Sequence, residues 1–143
     1  MFVFALHKVK PQKTEPLDTC IAISPDGLGN AIDTLRACGF RFVSFEEVLA
    51  CRVPMRELPP ETALLTFDDG YVNFIAHAVP VLENRGCPAI NFIVANRLGG
   101  TNEWDSGHLP LEHRERLMSQ AQLESFSNHP LIRFGSPGYG TQI

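Results

Sequence analysis

Short apolar runs alternate with longer segments of mixed polarity along the chain. Each run is four to seven residues long, a length typical of buried strands. The runs occupy residues 1–6, 40–43, 62–65, 88–94 and 131–134. Between two of them, Leu28, Ile32 and Leu35 recur at the spacing of one helix face. This alternation predicts an α/β protein with a parallel sheet, either open or curved into part of a barrel.

Capping and breaking residues mark the expected helices. Three serine caps predict helix starts: Ser24 with Pro25, and two capping boxes, Ser44 with Glu47 and Ser119 with Gln122. Another helix should follow Gly70 and run to about Arg85, where Gly86 closes it. Pro80 should either begin or kink that helix. One or two helices are expected after residue 110, the second being the one capped by Ser119.

The segment Thr66-Phe67-Asp68-Asp69-Gly70 carries the clearest candidate chemistry. Two adjacent carboxylates follow an apolar run, and the glycine allows the backbone to turn sharply away. The carboxyl ends of parallel strands are where catalytic groups usually collect in α/β proteins. An ordinary hairpin turn is the alternative, because Asp-Gly after a strand is also a turn signal.

Length and composition fit a single globular domain spanning residues 1–143. The net charge of −4 argues against nucleic acid as a partner, since no basic patch is expected. The first apolar run ends at His7, which makes it too short for a signal peptide or a membrane span. A cytoplasmic location is therefore expected. Four cysteines without CxxC spacing favour reduced core thiols: Cys20, Cys38, Cys51 and Cys87.

The segment from Thr66 to Tyr71 resembles the first motif of the polysaccharide deacetylases, the NodB-homology group of carbohydrate esterases. The resemblance extends over nearly the whole chain. Its other segments are residues 4–9, 24–25, 39–44, 78–82, 86–89 and 98–105. It implies a (β/α) barrel of the deacetylase type, truncated after about five strands.

The resemblance also implies a reaction, the metal-dependent hydrolysis of N- or O-acetyl groups on a polysaccharide. In the family, one aspartate and two histidines hold a divalent metal such as zinc or cobalt, and this metal activates the attacking water. By resemblance, Asp68 is the general base and Asp69 the metal ligand. An N-acetylated glycan is the implied carbohydrate partner.

The two histidine ligands of the family belong to a second motif, Ser-His-x-x-x-His. Here Phe134-Gly135-Ser136 keeps the start of that motif, but Pro137 and Thr141 occupy the ligand positions. Proline cannot bind a metal, and a threonine hydroxyl is a poor zinc ligand. The family's later motifs, with an arginine and a histidine, do not occur before Ile143.

Three hypotheses follow for the function of this chain. It is an active deacetylase that takes missing groups from a partner subunit, a noncatalytic pseudoenzyme that binds a glycan or a protein, or the first part of a longer deacetylase. Enzymatic activity is thus left open at the level of the sequence.

Other side chains are candidates for the rim of the site. His7 follows the first apolar run and is placed on the same rim as Asp69. Trp104 and Tyr139 could stack on sugar rings, although an anchoring core contact is the alternative for Trp104. The remaining histidines are assigned structural positions: His77 in helix packing, His129 in a turn, and His108 and His113 in solvated segments.

An incomplete barrel would leave an unpaired strand edge and exposed apolar surface. We therefore expect a homo-oligomer in which two copies pair through the open sheet or through its interior face.

Overall fold

The computed structural model describes residues 1–11, 21–51, 58–105 and 114–136. Its centre is a five-stranded parallel sheet, and a two-stranded parallel sheet lies beside it. The strands of the large sheet are β1 (Phe2–Leu6), β4 (Arg41–Phe42), β5 (Thr62–Phe67), β6 (Ala89–Phe92) and β7 (Ile132–Gly135). The small sheet consists of β2 (Lys8–Val9) and β3 (Ala22–Ile23).

Strand β5 organises the large sheet, because it pairs with three other strands. It pairs with β1 at residues 63–67, with β4 at its first two residues and with β6 at its last three. Strand β7 then pairs with β6. Because all these strands are parallel, the residues that follow them meet at one side of the sheet. We call this side the carboxyl edge; it is formed by His7, Asp68, Ile93 and Ser136, the residues that follow β1, β5, β6 and β7.

Three of the four described α-helices begin where the sequence predicted capped starts. They are α1 (Pro25–Ala37), α2 (Phe45–Ala50), α3 (Val79–Asn84) and α4 (Gln120–Ser125), with a π-helical turn at Phe74–Ala78 and 3₁₀ turns at Ala95–Arg97 and Glu103–Asp105. The Ser24 hydroxyl accepts a hydrogen bond from Gly27 N at 3.0 Å. Both expected capping boxes are formed, at Ser44 and at Ser119. The capping predictions are therefore confirmed.

Pro80 explains the irregular helix that follows the two aspartates. Proline has no N–H to donate to the carbonyl four residues earlier, and its ring crowds that carbonyl. The turn before it is π-helical, and the regular helix α3 starts at Val79 with Pro80 in its first turn. Pro80 thus begins the regular helix, which was one of its two predicted roles.

The core lies on both faces of the sheet. One face packs against α1, the π-helical turn and α3; its cluster includes Leu28, Ile32, Leu65, Phe67, Phe74 and Leu82. The other face carries a smaller cluster of Val43, Leu64 and Ile90, against which Phe45 and Val48 of α2 pack. Strand β5 is buried at every residue, as expected for a parallel strand covered on both faces. The predicted α/β class and its five main strands are confirmed.

Two details of the structure differ from the expectations. Residues 114–118 do not continue a helix: Arg116 and Leu117 form isolated antiparallel bridges to Thr101 and Tyr71. The three cysteines within the described ranges are free, but Cys87 is buried whereas Cys38 is exposed, so Cys38 is not a core thiol. Cys38 follows α1 directly, at a helix end that faces solvent. Cys20 lies outside the described residues.

One buried polar residue stands out on β6. Asn91 is fully buried and pairs in register with Phe67 on one side and Phe134 on the other. Neither polar atom of its side-chain amide has a hydrogen-bond partner within the described part of the chain. A buried amide without partners lowers the stability of the fold.

Candidate active site

The pairing of β1 with β5 brings Asp68 to the end of β1. Asp68 N donates a hydrogen bond to Leu6 O at 2.8 Å, which extends the strand pairing one residue past β5. The next residue of β1's segment is His7. The first of the two adjacent aspartates and the first histidine of the chain therefore both lie at the carboxyl edge.

Asp69 and Gly70 turn the chain sharply away from the sheet. Their φ angles are 70° and 73°, so two consecutive residues adopt the left-handed conformation. Among the described residues, Asp69 is the only non-glycine residue with a positive φ. Such conformations are uncommon outside glycine, although aspartate and asparagine tolerate them best. Backbone strain of this kind is frequent at functional sites.

The chain does not form a hairpin after β5. Both neighbours of β5 at the carboxyl edge, β1 and β6, run parallel to it, and a π-helical turn follows instead of a returning strand. The hairpin alternative for Asp69 and Gly70 is therefore wrong. The two carboxylates lie at the carboxyl end of a central parallel strand, which is the position that the sequence predicted as the alternative to a hairpin turn.

Burial raises the pKa of the Asp68 carboxyl above its ordinary value, and the charge of nearby His7 acts in the opposite direction. Both side chains are half-buried. Desolvation disfavours the charged carboxylate, whereas a positive charge close by favours it. A carboxyl with a raised pKa that remains partly exposed is suited to accept a proton during a reaction.

The described residues do not form a complete metal centre. Within the part of the chain that the structure describes, no group of three or more His, Cys, Asp or Glu side chains could hold a metal ion. Asp69 offers one carboxylate, which is a suitable metal ligand by itself but is not sufficient. Pro137, Tyr139 and Thr141 lie outside the described residues, as do His108 and His113.

Trp104 lies in a loop that is linked to the aspartate loop. It is half-buried within the 3₁₀ turn Glu103–Asp105. Residues 114–118 join the two loops: Leu117 N donates to Gly100 O at 3.0 Å, and Met118 N donates to Gly70 O at 2.8 Å. The proposed stacking of Trp104 on a sugar ring stays a prediction.

His129 holds the start of β7, at the opposite end of the sheet from the aspartates. Its Nδ1 accepts hydrogen bonds from the backbone N–H groups of Leu131 and Ile132, both at 3.2 Å. Its Nε2 therefore carries the proton and donates to Glu83 at 3.1 Å. The prediction of a turn residue is confirmed. His77 is half-buried in the π-helical turn.

A buried ionic cluster behind the carboxyl edge was not anticipated from the sequence. Lys8 is fully buried, and its Nζ lies 3.1 Å from Glu115 Oε1 and 5.1 Å from the centre of the Tyr71 ring. From the sequence alone, Lys8 is expected to be a surface residue, since lysines are rarely fully buried. Nothing in the local sequence connects it with Glu115.

These features define a class: an α/β protein with a parallel sheet and paired carboxylates at the carboxyl end of its central strand. Residues 55–131 match the family model described as polysaccharide deacetylase. The chain therefore belongs to the polysaccharide deacetylase family. No curated protein sequence matches the chain.

Solved structures of similar fold agree with this assignment. IcaB from Ammonifex degensii is 28% identical, with a TM-score of 0.70 over 94% of this chain and 52% of that one. A de-N-acetylase from Aggregatibacter actinomycetemcomitans is 21% identical, with a TM-score of 0.72 over 94% of this chain and 53% of that one. The deacetylase PplD from Streptococcus pyogenes, solved in complex with acetate, is 19% identical; its TM-score is 0.63 over 94% of this chain and 54% of that one.

The chain spans about half the length of these solved structures. Its fold is a partial barrel of the deacetylase type, as the sequence predicted. In the described residues, no helix is both long enough and apolar enough to cross a membrane.

Proposed function

We propose that the carboxyl edge of this chain is the proton-accepting half of a carbohydrate deacetylase site. The substrate is an N-acetylated glycan, and the reaction is the family's hydrolysis of an acetyl group. The observation that carries the proposal is the position of Asp68: it is hydrogen-bonded through its backbone to the end of β1, lies beside His7, and has a raised pKa.

The roles of the individual residues follow from their chemistry. Asp68 accepts the proton of the water that attacks the acetyl carbonyl. Asp69, turned away by its left-handed backbone, contributes one carboxylate to a divalent metal such as zinc or cobalt. Such a metal supplies water activation and carbonyl polarisation when it is bound. His7, Trp104 and Tyr139 contribute to the rim, the two aromatic residues by stacking on sugar rings.

The described donor set does not complete a metal centre, so we expect the isolated chain to bind metal weakly and to release no acetate. Further ligands would have to come from residues of this chain outside the described ranges, from a partner subunit or from additional polypeptide.

Metal titration of Asp69→Asn is the direct test. Asparagine tolerates a positive φ, so this variant removes the charge without adding the backbone strain that alanine would. Glu61→Gln is the matched control, because Glu61 is an exposed carboxylate at the opposite end of β5. We expect zinc affinity, measured by calorimetry, to fall in Asp69→Asn and to be unchanged in Glu61→Gln.

The remaining outcomes distinguish the alternatives. Equal zinc affinities for both variants would contradict the role of Asp69. One equivalent of zinc retained after desalting, with acetate release from N-acetylglucosamine oligomers, would overturn the expectation that the chain is inactive alone. If those oligomers do not bind to the chain by calorimetry, the glycan proposal is wrong.

We also propose that two copies of this chain pair through β1. Phe2 and Val3 are 55% and 56% exposed, and β1 carries no charged side chain. Within the described residues, β1 pairs with a strand, β5, along one edge only. A strand of this composition fits a second copy of itself across a twofold axis, where no like charges meet.

Light scattering at micromolar concentration tests the pairing. We expect a dimer for the unmodified chain and a monomer for Val3→Lys, which places a charge on the shared edge. A clean monomer for the unmodified chain would contradict this proposal without affecting the site.

A further inference from the structure

Glu115 connects the loops of the carboxyl edge through a buried cluster. We define the Glu115 cluster as Lys8, Lys10, Asn73, Asn102 and Glu115. One carboxylate oxygen of Glu115, Oε1, lies 3.1 Å from Lys8 Nζ and 3.0 Å from Lys10 Nζ. The other, Oε2, accepts a hydrogen bond from Asn73 Nδ2 at 2.6 Å.

The cluster continues through backbone groups. Asn73 Oδ1 accepts a hydrogen bond from Val9 N at 3.2 Å, so Asn73 contacts both the segment after β1 and Glu115. Glu115 N donates to Asn102 Oδ1 at 2.7 Å. Three loops are thereby joined: the segment that follows His7, the loop that follows Asp69, and the loop that carries Trp104.

Most of these contacts are shielded from water, which keeps the charged partners together. Lys8 and Asn102 are fully buried, and the side chain of Glu115 is only 17% exposed. A buried charge that loses its partner is strongly unfavourable, so the ammonium of Lys8 remains close to the carboxylate. Two further ties hold the same segment in place: Val72 N donates to Arg116 O at 2.9 Å, and Met118 N donates to Gly70 O at 2.8 Å.

The cluster lies directly behind the proposed catalytic groups. Lys8 is the neighbour of His7 in the chain, and Asn73 is four residues after Asp69. We propose that Glu115 is a positioning residue, which holds His7 beside Asp68 by fixing the segment after β1 against the aspartate loop. The proposal rests on the function proposed above for Asp68, but its geometry does not depend on a metal or on a substrate.

The test measures the proximity of His7 and Asp68 directly in the metal-free chain. The carbon-bound Cε1 proton of His7 gives a nuclear magnetic resonance signal that responds to a nearby charge. Replacing Asp68→Asn in the unmodified background should therefore shift that signal. In a Glu115→Gln background, the same replacement should shift it at most about half as far, because the two sites are coupled through the cluster.

Two further variants make the test specific. Asn73→Ala breaks the link to Val9 N while it leaves Glu115 paired with both lysines, so it tests the same connection without a new unpaired charge. Asp33→Asn is the control, because it removes the exposed ion pair of Asp33 with Arg85, at 2.9 Å, far from the carboxyl edge. We expect Asn73→Ala to reduce the His7 response and Asp33→Asn to leave it unchanged.

An undiminished His7 response in folded Glu115→Gln or in folded Asn73→Ala would overturn the proposal. A reduced response in Asp33→Asn would also overturn it, since general loosening would then explain the effect. Failure of zinc or glycan binding in the unmodified chain would count against the proposed function alone, because the resonance is measured without either ligand.

Discussion

Replacement of Gly70 by alanine tests the left-handed turn that begins at Asp69. Gly70 has a φ of 73° and is buried. A Cβ at this position would lie 3.0 Å from Ile93 Cγ2, on the loop that follows β6. Gly39 provides a matched comparison: its φ is 89°, and a Cβ there would meet nothing within 4 Å.

Both substitutions introduce backbone strain, but only Gly70→Ala also introduces a steric contact. A Cβ in the left-handed region costs roughly 1–2 kcal/mol, and both variants should lose that amount of unfolding free energy. Overpacking a filled site costs a further 1–3 kcal/mol or so, and only Gly70→Ala has a close neighbour. We expect a loss of about 1–2 kcal/mol for Gly39→Ala and about 2–5 kcal/mol for Gly70→Ala.

Urea denaturation followed by the fluorescence of Trp104, the only tryptophan, measures both losses. Adding Ile93→Leu to Gly70→Ala should recover part of the excess, since leucine has no Cγ2 methyl group at the contact. Equal losses for the two glycine variants would refute the close contact with Ile93. An unchanged stability of Gly70→Ala would refute the left-handed backbone itself.

Three further predictions concern buried groups. Because the folded-state pKa of Asp68 is raised, the folded state binds more protons than the unfolded state and loses stability as pH rises through that pKa. Asp68→Asn should remove this loss. The unfolding free energy of Asp68→Asn, measured by metal-free urea denaturation, should therefore increase relative to that of the unmodified chain from pH 3 to pH 7. A difference in unfolding free energy between the two proteins that does not grow with pH would contradict the raised pKa. Burial raises the pKa of the Cys87 thiol to about 12, so iodoacetamide at pH 8 should modify exposed Cys38 long before Cys87. Mass spectrometry of the labelled chain measures the order, and modification of Cys87 before Cys38 would contradict the raised pKa. Asn91→Leu should raise the unfolding free energy by about 1–3 kcal/mol, because it removes a buried amide that has no partner among the described residues; a loss of stability would indicate a partner for that amide.

Local signals in the sequence were sufficient for the helix starts and for the central strand. Ser24, Ser44 and Ser119 cap helices with their own hydroxyl groups, so the relevant interaction spans only three residues. Pro80 likewise acts on the turn next to it. These contacts are short in sequence, and their residue types are specific.

Contacts between distant segments were not predictable in the same way. Residues 114–118 are extended because they pair with two loops, near Tyr71 and near Thr101, and neither pairing leaves a pattern within the segment itself. The burial of Lys8 depends on Glu115, which is equally remote in sequence. The aspartates were found because a motif marks them, whereas the residues that support them are recognised only from tertiary contacts.

The pairing of β1 with β5 has a consequence for the synthesis of the chain. Phe2 is made well before Ala63, the residue with which it pairs. During that interval an uncharged apolar strand has no neighbour with which to form its backbone hydrogen bonds, and such segments are prone to aggregate. Translation speed and chaperone binding between the synthesis of Phe2 and that of Ala63 should therefore influence the yield of folded protein.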